Sequence, residues 1–177
     1  LEEIDVSFLL DPPAGKHGFL TVGDDGHFVF EDGTPARFFG TNVGGSGCCP
    51  DQETARVIAR RLARFGCNML RLHAADSRWG GIIDYERGDS RHLNPGALDR
   101  YDYFVAQLKE QGIYVYFDLF DYRNFTVADG IEHADEFDRN WHHCPKGASS
   151  YDRTLIELQK EFATQLLTHQ NPYTGNR

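Results

Sequence analysis

PDQETARVIARRLARFGCNMLRLH, residues 50–73, carries two periodicities back to back. Ala55, Ile58, Leu62 and Phe65 follow one another at spacings of 3, 4 and 3, which gathers them on one face of a helix while Arg56, Arg60 and Arg64 point elsewhere. Pro50 and Asp51 open that helix and Gly66 stops it. CNMLRLH, residues 67–73, then reads as a strand entered with almost no connection. A helix feeding directly into a buried strand is the return half of a βαβ crossover.

The same unit recurs on both sides. Upstream, FFGTNV (38–43) is a buried strand whose exit loop is GGSGCC. Downstream, Asn94 caps a helix with Pro95 in its first turn, and Leu98, Tyr101, Val105 and Leu108 repeat the 3, 4, 3 spacing up to Gly112. IYVYFDLF (113–120) follows as a nearly continuous β-branched and aromatic run, typical of a strand covered on both faces. Leu155, Leu158, Phe162 and Leu166 then mark a third helix ending near His169. Strand starts at Phe38, Asn68 and Ile113 lie 30 and 45 residues apart, which suits right-handed crossovers with enlarged loops.

The long loops all follow strands, whereas the helix-to-strand joints FGCN and QGIY are tight. The elaborated face is therefore the carboxyl end of the sheet, where barrel enzymes build their sites. A doubly wound sheet is the rival, but GGSGCCPD lacks the G-x-G-x-x-G spacing and no phosphate-loop lysine follows. The fold class expected is α/β: a partial (β/α)8 TIM barrel, its first three βα units, behind a small antiparallel lead-in. Residues 1–37 form the lead-in, with short strands at 19–22, 27–30 and 36–39 separated by GDDG and EDGTP, and residues 38–177 form the barrel units. A closed barrel takes about 250 residues, so the catalytic domain is expected to be incomplete here.

Composition narrows the ligands. The net charge of -9, with 27 acidic against 18 basic residues, argues against a nucleic acid partner. No apolar run is long enough to cross a bilayer, so no membrane partner is expected. Compartment stays open, because a leader removed ahead of residue 1 would leave no trace. Cys48, Cys49, Cys67 and Cys144 do not read as a disulfide framework. Aromatic content of 13% suits stacking on apolar ligand faces.

GHFVFEDGTPARFFGTNV, ETARVIARRLARFGCNMLRLHAAD and LDRYDYFVAQLKEQGIYVYFDL together resemble the start of clan A glycoside hydrolases, especially the cellulase-like family 5, over residues 18 to about 175. The resemblance implies a retaining hydrolase of a β-linked oligo- or polysaccharide. It places the acid/base Glu at the end of a fourth strand and the nucleophile Glu at the end of a seventh, both expected beyond residue 177, so the chain alone should be inactive. It also implies that Arg71 is the arginine that keeps the nucleophile carboxylate ionised. The stretch DLFD stands where the family often carries a histidine near the end of the third strand.

The remaining candidates follow from position. His73 shares a strand face with Arg71 and either donates to a sugar hydroxyl or is held by a backbone carbonyl. Asn42 ends the first strand as a hydrogen bonder or a turn former. Asp76, Asp118 and Asp121 gather on the same end. Trp79, Tyr85, Tyr122, Phe125 and Trp141 lie in the long loops, as sugar platforms or as packing anchors. The run WHHC (141–144) is a solvent-facing loop rather than a tetrahedral metal site, and no H-x-H follows the first strand, so neither metal nor cofactor is expected. Two rival readings stand beside the hydrolase: a non-catalytic carbohydrate-binding or interaction module, and another barrel enzyme working through Asp76, Asp118 and His73. Open strand edges would favour self-association or pairing with a complementing fragment.

Overall fold

The structure, a computed structural model, describes residues 4–139 and 146–176. Trp141 and the WHHC run lie outside the described residues. A hairpin of β1 (Leu20–Val22) and β2 (Phe28–Phe30) precedes three strand-helix units: β3 (Gly40–Gly44), α1 (Gln52–Arg64), β4 (Met69–His73), α2 (Pro95–Glu110), β5 (Tyr114–Phe117) and α3 (Arg153–Thr168). β1 and β2 pair antiparallel, Leu20 opposite Phe30. The other sheet has the order β3-β4-β5. Neighbours in that sheet are also neighbours in sequence, joined by helices, so the strands run parallel.

Each helix starts where a side chain can accept an orphan backbone N–H. Asp51 accepts from Thr54 at 2.9 Å, Asn94 from Ala97 at 3.0 Å and Asp152 from Leu155 at 2.9 Å. α2 gives way to β5 through Gly112, whose φ of +79° only glycine adopts cheaply, and a Cβ there would sit 3.0 Å from the Pro12 nitrogen.

Four expectations need correction. Residues 36–39 form no third lead-in strand: Pro35 makes a single bridge to Val29, and the Phe39 N–H is taken at 2.7 Å by the side chain of Asn68, which also donates to Arg37 O. For the same reason β3 begins at Gly40 instead of Phe38. α1 buries Ala55, Ala59 and Ala63, a row of small side chains that permits close approach, and leaves Phe65 exposed. β5 stops at Phe117 because the Asp121 and Tyr122 N–H groups turn to the Asp76 carboxylate.

The chain divides into two compact units. The first, Leu1–Asn42, Asp51–Arg71 and Tyr103–Tyr116, holds the hairpin, α1 and the tight helix-to-strand joints. Its aromatic packing centres on Tyr114, stacked on Phe30 at 5.3 Å and edge-on to Phe38 at 5.5 Å. The second, Val43–Pro50, Leu72–Asp102 and Phe117–Arg177, holds the strand ends, the long loops and α3. Phe125, Ile131, Ala134, Leu155 and Leu158 form a small core beneath its last loop. Along β4, Leu70 and Leu72 are buried while Arg71 between them is exposed, so Met69, Arg71 and His73 share the opposite face.

Candidate functional site

The second unit assembles a charged group around His73, the last residue of β4. Its Nδ1 lies 2.9 Å from Asp118 Oδ2, just past the end of β5, and is also paired with Asp121. Two carboxylates facing one ring nitrogen require the proton on Nδ1, which leaves Nε2 as the atom able to address a ligand. The side chain of His73 is 28% exposed, against 10% for Asp118 and 6% for Asp121. The imidazole is thus the part of the group that solvent or substrate can reach.

Asp121 is the hub. Its Oδ2 accepts the Ala74 N–H at 3.0 Å, and its Oδ1 accepts the Lys146 ammonium at 2.7 Å. Ala74 has φ +57°, an uncommon conformation for a residue with a Cβ. The bond to Asp121 helps hold that turn, and the turn ends β4 with His73 facing the carboxylates. Lys146 also lies 4.1 Å from the centroid of the Tyr122 ring.

Asp76 sits deeper and has a different task. Its oxygens accept the backbone N–H groups of Asp121 at 2.7 Å and Tyr122 at 2.9 Å. Burial pushes its carboxyl up, and those backbone donors pull the other way. It pins the turn that aims Asp121 at His73. Tyr85 reinforces the same turn, donating to Asp76 O at 2.7 Å and accepting from Asn124 N at 3.0 Å, and burial raises its phenol.

The rim is aromatic. Tyr122 packs edge-on to His73 at 5.8 Å and tilted against Trp79 at 5.2 Å. Trp79 is about half exposed, and its indole packs against Gly45: a Cβ there, where φ is +57°, would fall 2.2 Å from the indole Cδ1. Under the group, the Cys48 thiol points at His73 O at 3.4 Å, and burial pushes it up to about 12.

Of the residues singled out from sequence, the structure brings together His73, Asp118 and Asp121, with Trp79 beside them. Asn42 and Arg71 are exposed in the first unit. Tyr85 and Phe125 are packing anchors. Lys146 is an addition: the signal for it was a single lysine in the acid-rich segment 121–149. Ligand atoms of His73, Asp118 and Asp121 lie within 4.8 Å of one another, a spacing that could hold a metal ion. As arranged, however, the Asp121 oxygens already meet an ammonium and a backbone N–H, and a cation would have to displace Lys146.

Several solved structures share this fold. An endo-1,4-β-mannanase from Rhizomucor miehei superposes with a TM-score of 0.61 at 24% identity, over 89% of this chain and 44% of its own. A glycoside hydrolase family 5 mannosidase from the same organism gives 0.64 at 15%, over 90% and 45%. An endo-β-1,4-mannanase from Thermotoga petrophila gives 0.53 at 20%, over 78% and 31%. The likeness at these identities is one of fold, and the chain spans less than half the length of each. No protein-family profile matches the sequence. No curated protein matches it either.

Proposed function

We propose that these residues form the first three βα units of a (β/α)8 glycoside hydrolase of the family 5 type, which cleaves a β-linked glycan with retention of configuration. The observation that carries the reading is a fold shared with a mannanase and a family 5 mannosidase over about nine-tenths of the chain, with the His73 group at the carboxyl ends of its strands. A retaining mechanism needs two carboxyl groups about 5–5.5 Å apart, one as acid and one as nucleophile. Asp118 and Asp121 are engaged by His73, Ala74 and Lys146, so in this reading the reacting pair comes from other barrel units. Arg71 serves as the permanent cation that keeps the nucleophile ionised. His73 addresses a sugar hydroxyl through Nε2, with Asp118 and Asp121 holding its ring, Asn42 adds a hydrogen bond, and Trp79 offers a stacking face.

Titration calorimetry with β-1,4-linked manno- and gluco-hexasaccharides tests the reading. Binding of one series, weakened about tenfold or more by His73→Ala and by Arg71→Ala, is the expected result; failure of both series to bind overturns it. A non-catalytic binding module shares the same surface and differs in turnover, which reducing-sugar release from a longer chain containing these residues would separate. An acid-base role for Asp76 fits poorly with its backbone-capped oxygens. Exposed apolar side chains on β5, such as Tyr116 at 55%, favour cover by further barrel units, a complementing fragment or a second copy, which sedimentation velocity distinguishes.

A further inference from the structure

α1 presents a second face, clear of its buried alanines. Val57, Arg60, Arg61 and Arg64 follow one another at i, i+3, i+4 and i+7, and Phe65 stands at the helix end. Together with Ile4 they line a cleft of about 340 Å³ in the first unit. The N-terminal segment is fastened to this end of the helix. Val6 N donates to Arg64 O at 3.0 Å, and Asp5 Oδ2 lies 3.4 Å from Arg64 Nε. Ser7 in turn donates to the Asp5 carboxylate through its N–H and its hydroxyl. Those contacts bring Ile4 to the cleft as part of its apolar wall.

The charge here exceeds what a helix end requires. Arg61 and Arg64, in the last turn, complement the helix dipole. Arg56 and Arg60 stand earlier, and the pairs Arg56–Arg60 and Arg60–Arg64 set like charges four residues apart, which weakens a helix. α1 holds four arginines and one glutamate within a chain of net charge -9, so positive charge is collected here against the overall excess. Arg56 is engaged by Tyr103 Oη at 2.8 Å and Arg64 by Asp5. Arg60 is oriented by the bond from its Nε to Arg56 O at 3.3 Å; among the described residues its Nη groups and the Arg61 guanidinium have no hydrogen bond or ion pair.

Three apolar side chains face the same cleft, each left open to solvent: Ile4 at 51%, Val57 at 43% and Phe65 at 43%. Phe65 is the residue that helix periodicity assigned to the core. Guanidinium groups offer paired N–H donors to a carboxylate or phosphate, and an apolar wall beside them takes the body that carries the anion. The volume falls at the small end of the roughly 300–1,000 Å³ of ligand pockets, which suits one ring with its charged group.

We propose that this cleft binds a small organic oxyanion, a carboxylate or phosphate ester on a single apolar ring, with its oxygens on Arg60 and Arg61 and its ring against Val57, Phe65 and Ile4. None of these residues belongs to the His73 group, and the ligand class does not depend on the glycan reading. Either can fail alone.

The test is calorimetry, with NMR of the arginine Nε–H signals, on the chain titrated with phenyl phosphate and with benzoate; benzyl alcohol and inorganic phosphate are the controls. At least one aryl anion should bind and move the Arg60 signal, and the tighter of the two identifies the oxyanion. Each control should bind about tenfold or more weakly. Raising salt from about 50 to 500 mM should weaken the aryl anion. Arg60→Gln combined with Arg61→Gln should weaken it about tenfold or more, whereas Arg61→Lys, which keeps the charge and loses the fork, should cost only part of that. Phe65→Ser should weaken it about 2- to 10-fold. Both arginines are exposed, so the double variant should melt as the parent does; if it does not, an unmoved Arg60 signal in the parent overturns the site. So does failure of both aryl anions to bind, a control that binds as tightly as they do, or affinity indifferent to the arginine pair.

Discussion

Arg123→Met should destabilise the chain more than any change at the rim of the site. The guanidinium is buried between the rings of Phe125, 4.9 Å away, and Phe162, 5.6 Å away. It donates through Nη1 to Leu158 O at 2.6 Å, through Nη2 to Ser90 O at 2.7 Å and through Nε to Ser90 Oγ at 3.1 Å. Ser90 is itself held twice by Asp129, each bond 2.9 Å. One side chain thus ties the loop after β4 to the loop after β5 and to α3. Methionine keeps the stem between the rings and removes every donor. Ser90 O then lacks its buried partner, at about 1–3 kcal/mol, while Leu158 O, inside α3, keeps its helical bond and relief of the guanidinium's own desolvation returns part of the loss. Breaking a buried charged network from one side costs about 3–5 kcal/mol, which is about a fifth or more of the roughly 5–15 kcal/mol that a domain has. Urea unfolding followed by circular dichroism should show the midpoint falling by about 2 M for a slope near 2 kcal/mol/M. A double-mutant cycle with Ser90→Ala should return a coupling of about 1–3 kcal/mol. An Arg123→Met chain within about 1 kcal/mol of the parent refutes the idea that this network holds the loops.

Three further outcomes can be checked on the same chain. Bonds to Asp11 and Asp32 raise His17 above its usual 6.5, and His17 with Thr34 lowers Asp32 to about 2. The histidine contribution is complete below its unfolded value and is lost as pH rises through the raised one; that of Asp32 is present above 3.8 and is lost as pH falls toward about 2. The melting-temperature gap between the parent and His17→Gln should therefore be widest between about pH 4 and 6.5 and shrink on either side. Burial pushes Cys48 up to about 12 and Cys49 up to about 11, so peptide mapping after iodoacetamide at neutral pH should find both unmodified in the folded chain and modified in urea. Gly45→Ala must place a Cβ in the indole of Trp79 at a positive φ; it should cost about 1–2 kcal/mol in backbone strain alone and weaken hexasaccharide binding, read by a thermal melt and a titration.

The strand-helix order was legible because it rests on local patterns. Period-two and 3.6 spacings and a cap at Asp51 and Asn94 act over a few residues, and the structure keeps all three helices and all three sheet strands near the expected places. The misplacements share one cause. Side chains distant in sequence took backbone groups that a strand would have used: Asn68 at Phe39, and Asp76 at Asp121 and Tyr122. The stripe on α1 turned for another reason: Ala55 is buried and Ile58 and Leu62 are half-buried as their spacing suggests, but Phe65 is exposed and the helix packs most closely through Ala55, Ala59 and Ala63.

The site was legible only as far as strand register reaches. Period two put Arg71 and His73 on one face of β4, and that face is the one opposite buried Leu70 and Leu72. What register cannot supply is the path of a loop. His73 meets Asp118 across 45 residues, and Asp121 meets Lys146 across 25. Neither pairing leaves a local trace. Each depends on Ala74 turning left-handed and on Asp76 anchoring the next loop, so the residues that place the charges are not the ones that carry them. Asp76 is the sharpest case. Read from the sequence it was one acid among three, a candidate for proton transfer; in the structure its carboxylate is sealed by two backbone N–H groups, and its contribution to any chemistry is exerted through where it puts Asp121.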